Sequence, residues 1–177
     1  FQLTASAQNS AITGITFQGF ATAGISLNGV RNATIANNRF VGNGTGLTAT
    51  GDLTGTQVVS STFTNNTKAG ASLANARNLV FGGIGLGNRI EASPSITTGT
   101  GLIISGTSTG TRVQGNAFSG YGYGMQLTSA TGVTVGGTVA GQANSVNAAA
   151  KAGVFANGFC TGSSVIKTVL TKTNVPY

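Results

Sequence analysis

The sequence predicts an all-β fold, a right-handed single-stranded parallel β-helix of about seven coils with three short strands in each. Three observations carry this. A short pattern of apolar residues recurs along all 177 residues; every copy is punctuated by Gly or Asn; and the chain is almost free of charge. Self-similarity at a fixed period of about 23 residues is the signature of a solenoid, in which each unit buries its apolar face only against its neighbours.

The first recurring element is a small turn residue followed three places later by an apolar one. Asn9 leads to Ile12, Asn32 to Ile35, Gly55 to Val58, Asn78 to Phe81, Gly110 to Val113, Gly132 to Val135 and Gly162 to Val165. The second is a large apolar residue a few positions on: Phe17, Phe40, Phe63, Ile90, Phe118, Val146 and Leu170. The third is Gly followed by two apolar residues flanking a variable one, as in Gly24-Ile25-Ser26-Leu27, Gly46-Leu47-Thr48-Ala49, Gly70-Ala71-Ser72-Leu73, Gly101-Leu102-Ile103-Ile104, Gly124-Met125-Gln126-Leu127 and Gly153-Val154-Phe155-Ala156. Alternation of period two is the mark of a strand with one buried side. No window sustains the i, i+3, i+4, i+7 stripe of an amphipathic helix. Three such strands per unit bury their apolar columns by coiling, each strand lying parallel to its copy in the next coil.

Composition follows from this stacking. Equivalent residues of adjacent coils stand about 4.8 Å apart, so a charge repeated at one place would oppose its own copy. Charged residues make up 6% of the chain, against roughly 25% in an ordinary soluble protein. Asn, Thr, Ser and 29 Gly supply polarity and turns instead. Asn38, Asn88, Asn116 and Asn144 each stand two residues before the second apolar element, and are expected to form a hydrogen-bonded ladder of the kind that stacked parallel strands support. Two coils carry related Gly-rich insertions, at 81–88 and 135–144, expected as loop excursions at one corner. No basic residue stands at the phosphate-binding spacing of a P-loop in either of them.

One domain spanning 1–177 is expected. The chain enters in mid-coil, with Phe1-Gln2-Leu3 matching Ile25-Ser26-Leu27, and shows no polar cap of the kind terminal repeats need. Further β-helix is therefore expected before Phe1, from the same polypeptide or from another copy or flanking domain stacking on that coil. Residues 171–177 depart from the repeat, hold Pro176, and are expected to form a partial C-terminal cap. No apolar stretch is long enough to span a membrane as a helix.

These residues resemble the right-handed parallel β-helix repeat proteins of the pectate-lyase-like superfamily, and the Val135-Gly136-Gly137-Thr138 spelling is similar to that of large secreted bacterial members. The resemblance covers nearly the whole chain. It implies the fold and leaves a wide choice of function, from polysaccharide lyases, hydrolases, esterases and epimerases to tailspikes and adhesin passengers. The residues test the catalytic members by subtraction. Glycoside hydrolysis needs at least two carboxylates about the scissile bond, whereas this chain has only Asp52 and Glu91, expected at different corners. A calcium site wants six to eight oxygens with several charges. With no His, a Ser or Cys nucleophile lacks its usual base, leaving a Lys-activated Ser as the remaining arrangement. The lone Cys160 forms no internal disulfide. No enzyme activity, cofactor or metal site is expected.

What is expected is a secreted or cell-surface solenoid with a structural or adhesive role. The alternative is a glycan-binding module. Tyr121 and Tyr123 sit in a Gly-flanked corner where other coils place Asn43 and Asn66, and exposed rings there would stack on sugar faces; the competing reading packs the two rings on each other. Thr-x-Thr pairs at 48–50, 98–100 and 107–109 occupy different places in the coil, which argues against a flat ice-binding row. The net charge of +7 is scattered. Arg31 with Arg77, Arg39 with Arg89 and Lys68 with Lys151 take matching places separated by at least one coil, as on a solvated face. Nucleic-acid binding, which calls for a denser basic stripe with aromatics, is not expected. Three glycosylation acceptors are spelled at Asn32, Asn43 and Asn65.

Overall fold

The computed structural model describes residues 1–93 and 98–171. Among these residues there are twenty-one strands and no helix. The strands form three seven-stranded parallel sheets, and the chain visits them in strict rotation through seven coils. Coil 1 holds strands Gln2–Thr4, Ala11–Thr13 and Thr16–Gln18; coil 7 holds Ala152–Asn157, Ser164–Ile166 and Val169–Thr171. We call the three sheets A, B and C in the order the chain meets them.

Each recurring sequence element builds one sheet. The Gly-apolar-x-apolar copies form sheet A, with Leu3, Leu27, Ala49, Leu73, Ile104, Leu127 and Ala156 in one register row. Ile12, Ile35, Val58, Phe81, Val113, Val135 and Val165 form the central row of sheet B. Phe17, Phe40, Phe63, Ile90, Phe118, Val146 and Leu170 form that of sheet C. The small residue that opens each sheet B unit turns the corner from sheet A with a left-handed backbone, at φ from 54° to 76° in all seven coils. Only Asn or Gly fills it, because a side chain without a short polar group or with a bulky Cβ is strained there.

The glycine of the third element has another cause. A Cβ on Gly46 would lie 2.7 Å from the Phe63 ring and 2.5 Å from the carbonyl oxygen of Gly70. Sheet A therefore gives up a side chain so that the large sheet C residue of the same coil reaches across the core. The rings stack along the axis: Phe17 on Phe40 with centroids 5.3 Å apart, and Phe40 on Phe63 at 4.5 Å. At coil 4 the sheet C residue is Ile90, and Phe81 of sheet B supplies the ring instead, 5.9 Å from Phe63. Coil 4 thus keeps a ring in its core although the ring comes from another sheet, as close packing favours.

The two Gly-rich insertions leave from the corner between sheets B and C. Each closes with the same turn, Leu86 N–H donating to the Gly83 carbonyl and Gln142 N–H to the Val139 carbonyl, both at 3.2 Å. Gly115 of the intervening coil lies against Gly83 and Gly141, so the two excursions stack across coil 5 and expose Ile84, Leu86 and Val139. At the start of the chain, the coil 1 core residues Leu3, Ile12 and Phe17 are 6–8% exposed. The exposed core residues lie at coil 7, where Val165 is 48% and Leu170 58% exposed. The cap expected from 171–177 lies, beyond Thr171, outside the described residues.

Candidate ligand face and polar ladders

The structure stacks Asn38, Asn88, Asn116 and Asn144 in one buried column at the corner between sheets B and C. The backbone N–H and side-chain amide of Asn88 both donate to Asn116 Oδ1, at 2.9 and 3.0 Å. Asn116 donates in the same two ways to Asn144 Oδ1, at 3.0 Å each. Each side-chain amide also reaches a carbonyl of the preceding coil, Val58 from Asn88, Phe81 from Asn116 and Val113 from Asn144. Ser61 fills the coil 3 place: its Oγ accepts from Asn38 N–H and its own N–H donates to Asn88 Oδ1. From Asn38 to Asn144 each side chain of the column is hydrogen-bonded, which is the condition for burying it, whereas the Thr168 hydroxyl in the coil 7 place is buried without a partner.

Sequence reasoning missed two further columns. Asn43 and Asn66 form a second ladder, at the corner between sheets C and A, with Asn43 donating to Asn66 Oδ1 and to the Phe17 carbonyl. At the corner between sheets A and B, hydroxyl and apolar residues alternate: Ser10, Ala33, Thr56, Leu79, Thr111, Val133 and Ser163 stand two residues before the sheet B row. The hydroxyl of coil 3 accepts from Ala33 N–H and donates to the Val30 carbonyl; those of coils 5 and 7 do the same for Leu79 and Ala76, and for Val133 and Ala130. The signal in both cases was a fixed offset from an apolar anchor.

Tyr121 and Tyr123 do not form an exposed aromatic corner. Tyr121 takes the place of Asn43 and Asn66, but at 1% exposure its ring is part of the core. Its hydroxyl faces Asn66 without making a hydrogen bond, and burial pushes the phenol up to about 12, with Asn66 opposing that rise. The same column of coil 1 holds Phe20, whose ring stays 45% exposed, so the core draws in the ring at coil 5 and not at coil 1. Tyr123 pairs in register with Thr100 and Ala152 instead, on the outer side of sheet A. There its ring lies 5.0 Å from that of Phe155, with Lys151 Nζ 5.3 Å from the Tyr123 centroid. Phe155 stands in the variable place of its Gly-apolar-x-apolar unit, next to Gln126 in register, so the period-two pattern already pointed it outward. Beside this group a cavity of about 220 Å³ opens between coils 6 and 7, lined by Lys151, Gly153, Val146 and Leu170 among others.

The two carboxylates are each engaged by an arginine. Asp52, at the end of its sheet A strand, accepts from Arg31 at 2.5 Å and from the Thr54 hydroxyl at 2.7 Å. Hydrogen bonds from Thr54 and Asn78, with Arg31 adding to them, hold this carboxyl well below the usual carboxylate range. Glu91, in sheet C, accepts from Arg89 at 2.7 Å. Arg39 and Arg89 both pair in register with Thr62, which separates them. Among the described residues no three His, Cys, Asp or Glu side chains stand close enough together to hold a metal ion.

Comparison with known families agrees with this geometry. The family model described as a right handed beta helix region matches residues 3–170. No curated protein matches the chain.

Proposed function

The chain belongs to the right-handed β-helix family, and on that premise we propose that it serves as a non-catalytic structural or adhesive solenoid outside the cell, secreted or at the cell surface. The observation that carries this reading is the state of its two acids. Asp52 and Glu91 sit on different sheets, each tied to an arginine, which leaves no pair of carboxylates free for acid and base chemistry. The rest of the surface is mostly neutral Thr, Ser, Asn and Gly with scattered cations such as Arg39, Arg77 and Arg112, a surface suited to spacing and to contact through many weak hydrogen bonds. Incubation with a panel of neutral and anionic polysaccharides should release no new reducing ends and no unsaturated sugars. Turnover that disappears in Asp52→Asn or Glu91→Gln would sink the proposal.

A second reading is favoured by the Tyr123, Phe155 and Lys151 group. Two aromatic rings and a cation on an otherwise small-residue face are the elements by which sugars are bound, rings stacking on the apolar faces of pyranoses and polar groups holding their hydroxyls. Tyr121, being buried, has no part in it. Calorimetric titration with soluble glycans, repeated on a Tyr123→Ala, Phe155→Ala double variant, tests this reading. Heat that persists unchanged in the double variant would remove the group from consideration.

A further inference from the structure

The two Gly-rich loops carry hydrocarbon outward, where the core makes no use of it. Ile84 is 55%, Leu86 47% and Val139 56% exposed. These side chains do not hang from loose segments. The first loop is held by its own turn and by Ser60 N–H, which donates to the Leu86 carbonyl at 3.0 Å. The second is closed by Gln142, whose N–H donates to the Val139 carbonyl and whose Oε1 accepts from Val139 N–H. At its base Gln114 Nε2 of coil 5 donates to the Gly136 carbonyl at 3.1 Å. The loops also meet each other, since a Cβ on Gly141 would lie 3.0 Å from Cγ2 of Ile84. One ridge of aliphatic tips, fixed from below, therefore runs along the corner between sheets B and C from coil 4 to coil 6.

Among the described residues the unpaired charge around this ridge is positive. Lys167 places its Nζ 3.1 Å from the Thr138 carbonyl, against the second loop. Arg112 is exposed on sheet B, in register between Val80 and Thr134, in the strand that leads to Gly115 where the loops come together. The chain's two acids, Asp52 and Glu91, are taken by Arg31 and Arg89, so neither cation has an acidic side chain as partner. A second copy docked ridge to ridge would set these cations against their own kind. Protein partners are gripped chiefly through Trp, Tyr and Arg anchors packed in pockets, whereas this ridge offers aliphatic tips. Aliphatic tips flanked by cations suit a partner that is anionic at its surface and hydrocarbon beneath.

We propose that the two Gly-rich loops dock the solenoid on an anionic lipid surface. Ile84, Leu86 and Val139 enter the boundary between headgroups and acyl chains, while Arg112 and Lys167 meet lipid phosphates. This inference rests on the adhesive reading above and names the surface adhered to.

The chain contains no Trp, so Leu86→Trp places a single reporter on the ridge. With vesicles of phosphatidylcholine carrying phosphatidylglycerol, its emission should shift to the blue and be quenched by lipids brominated in the acyl chain. Emission that stays as it is in buffer overturns the proposal. Co-sedimentation of the unaltered chain with the same vesicles should show binding that weakens with added salt, and much weaker binding to phosphatidylcholine alone. Arg112→Gln should lower the affinity for the anionic vesicles about fivefold. The double variant Ile84→Ser, Val139→Ser, altered only at exposed sites, should keep the circular dichroism of the parent and lose affinity by about tenfold or more. Binding undiminished in the double variant would be adsorption by net charge alone and would overturn the role of the loops. Sedimentation velocity without lipid should find a species that the double variant leaves unchanged; a dimer that this variant dissolves would assign the ridge to a second copy and overturn the proposal as well. The polysaccharide assay is independent of these outcomes, so a chain that ignores vesicles and degrades no glycan would remove this inference and leave the non-catalytic reading standing.

Discussion

Coils 5 and 7 are written to the same plan. Each turns the A–B corner with a left-handed glycine, Gly110 or Gly162, places a hydroxyl residue after it, and sends a valine and a large apolar residue into the core columns. In coil 5, Val113 and Phe118 are fully buried; in coil 7, Val165 and Leu170 stand half in solvent. Nothing in the residues themselves accounts for this. The difference is one of neighbours: coil 5 has a coil on both sides, and no further coil of the described residues follows coil 7. In a solenoid, burial and stability belong to the junction between units more than to the unit.

The comparison is sharpest in the core. Phe118→Ala should cost about 3–5 kcal/mol, the range for removing a buried ring, while Leu170→Ala should cost less than about 1 kcal/mol, as for an exposed site. Urea denaturation of the two variants decides it, and equal losses would mean that Leu170 is covered in solution. Polar columns should repeat the contrast on a smaller scale. Asn116→Ala leaves buried groups in two neighbouring coils without partners and should cost about 3 kcal/mol. Thr168→Ala, in the same column of coil 7, removes a hydroxyl that is buried and unpartnered, and should be neutral or mildly stabilising.

Tyr121→Phe offers a gain. Removing an unpartnered buried hydroxyl should stabilise by up to about 1 kcal/mol. It should also change the alkaline limb of stability. The Tyr121 phenol is raised to about 12 in the fold from an unfolded value near 10, so the parent keeps its full stability below about pH 10 and loses it as pH rises from there through the folded value. The Phe variant should lose less over that window in a pH series of thermal melts. The smallest effect is expected at acid pH. The Asp52 carboxyl is held low in the fold, so its contribution is present above the unfolded value near 4 and fades as pH falls below it. Because Asp52 lies at the surface, Asp52→Asn should flatten the acid limb only slightly.

Much of this architecture was legible in the sequence because the signals are strict. An apolar residue at every second place and a Gly or Asn at most corners leave few alternatives, although Ser60, Ala148 and Lys167 turn corners with a left-handed backbone, and a strand's side-chain period fixes which residues share a row. The site was harder. Tyr121 shares its column with Asn43 and Asn66, and column membership says nothing about whether a ring is drawn into the core or left outside. Phe155 was overlooked because it fills a place that is variable, held by Ser26, Thr48, Ser72, Ile103 and Gln126 in other coils. Its importance comes from Tyr123 in the coil before, a cross-strand relation that no local pattern contains. Ser61 escaped the ladder for a related reason: its residue type differs from Asn, yet its oxygen stands where the corner needs an acceptor.

The alternation at the A–B corner has a consequence for length. Ala33, Leu79 and Val133 carry no acceptor, and their backbone N–H groups are served by the hydroxyl of the coil that follows. The molecule is therefore phased in twos along its axis, and the Gly-rich loops, which meet across coil 5, keep the same beat. Excising coil 5 alone would bring Leu79 beneath Val133 and strand a buried amide; excising coils 4 and 5 together would bring Thr56 and Val133 into succession, as Thr56 and Leu79 are now. A hydroxyl coil such as coil 5 can therefore be removed without this penalty only together with the apolar coil whose amide it serves, whereas Thr56 and Thr111 satisfy their own N–H groups within their coils.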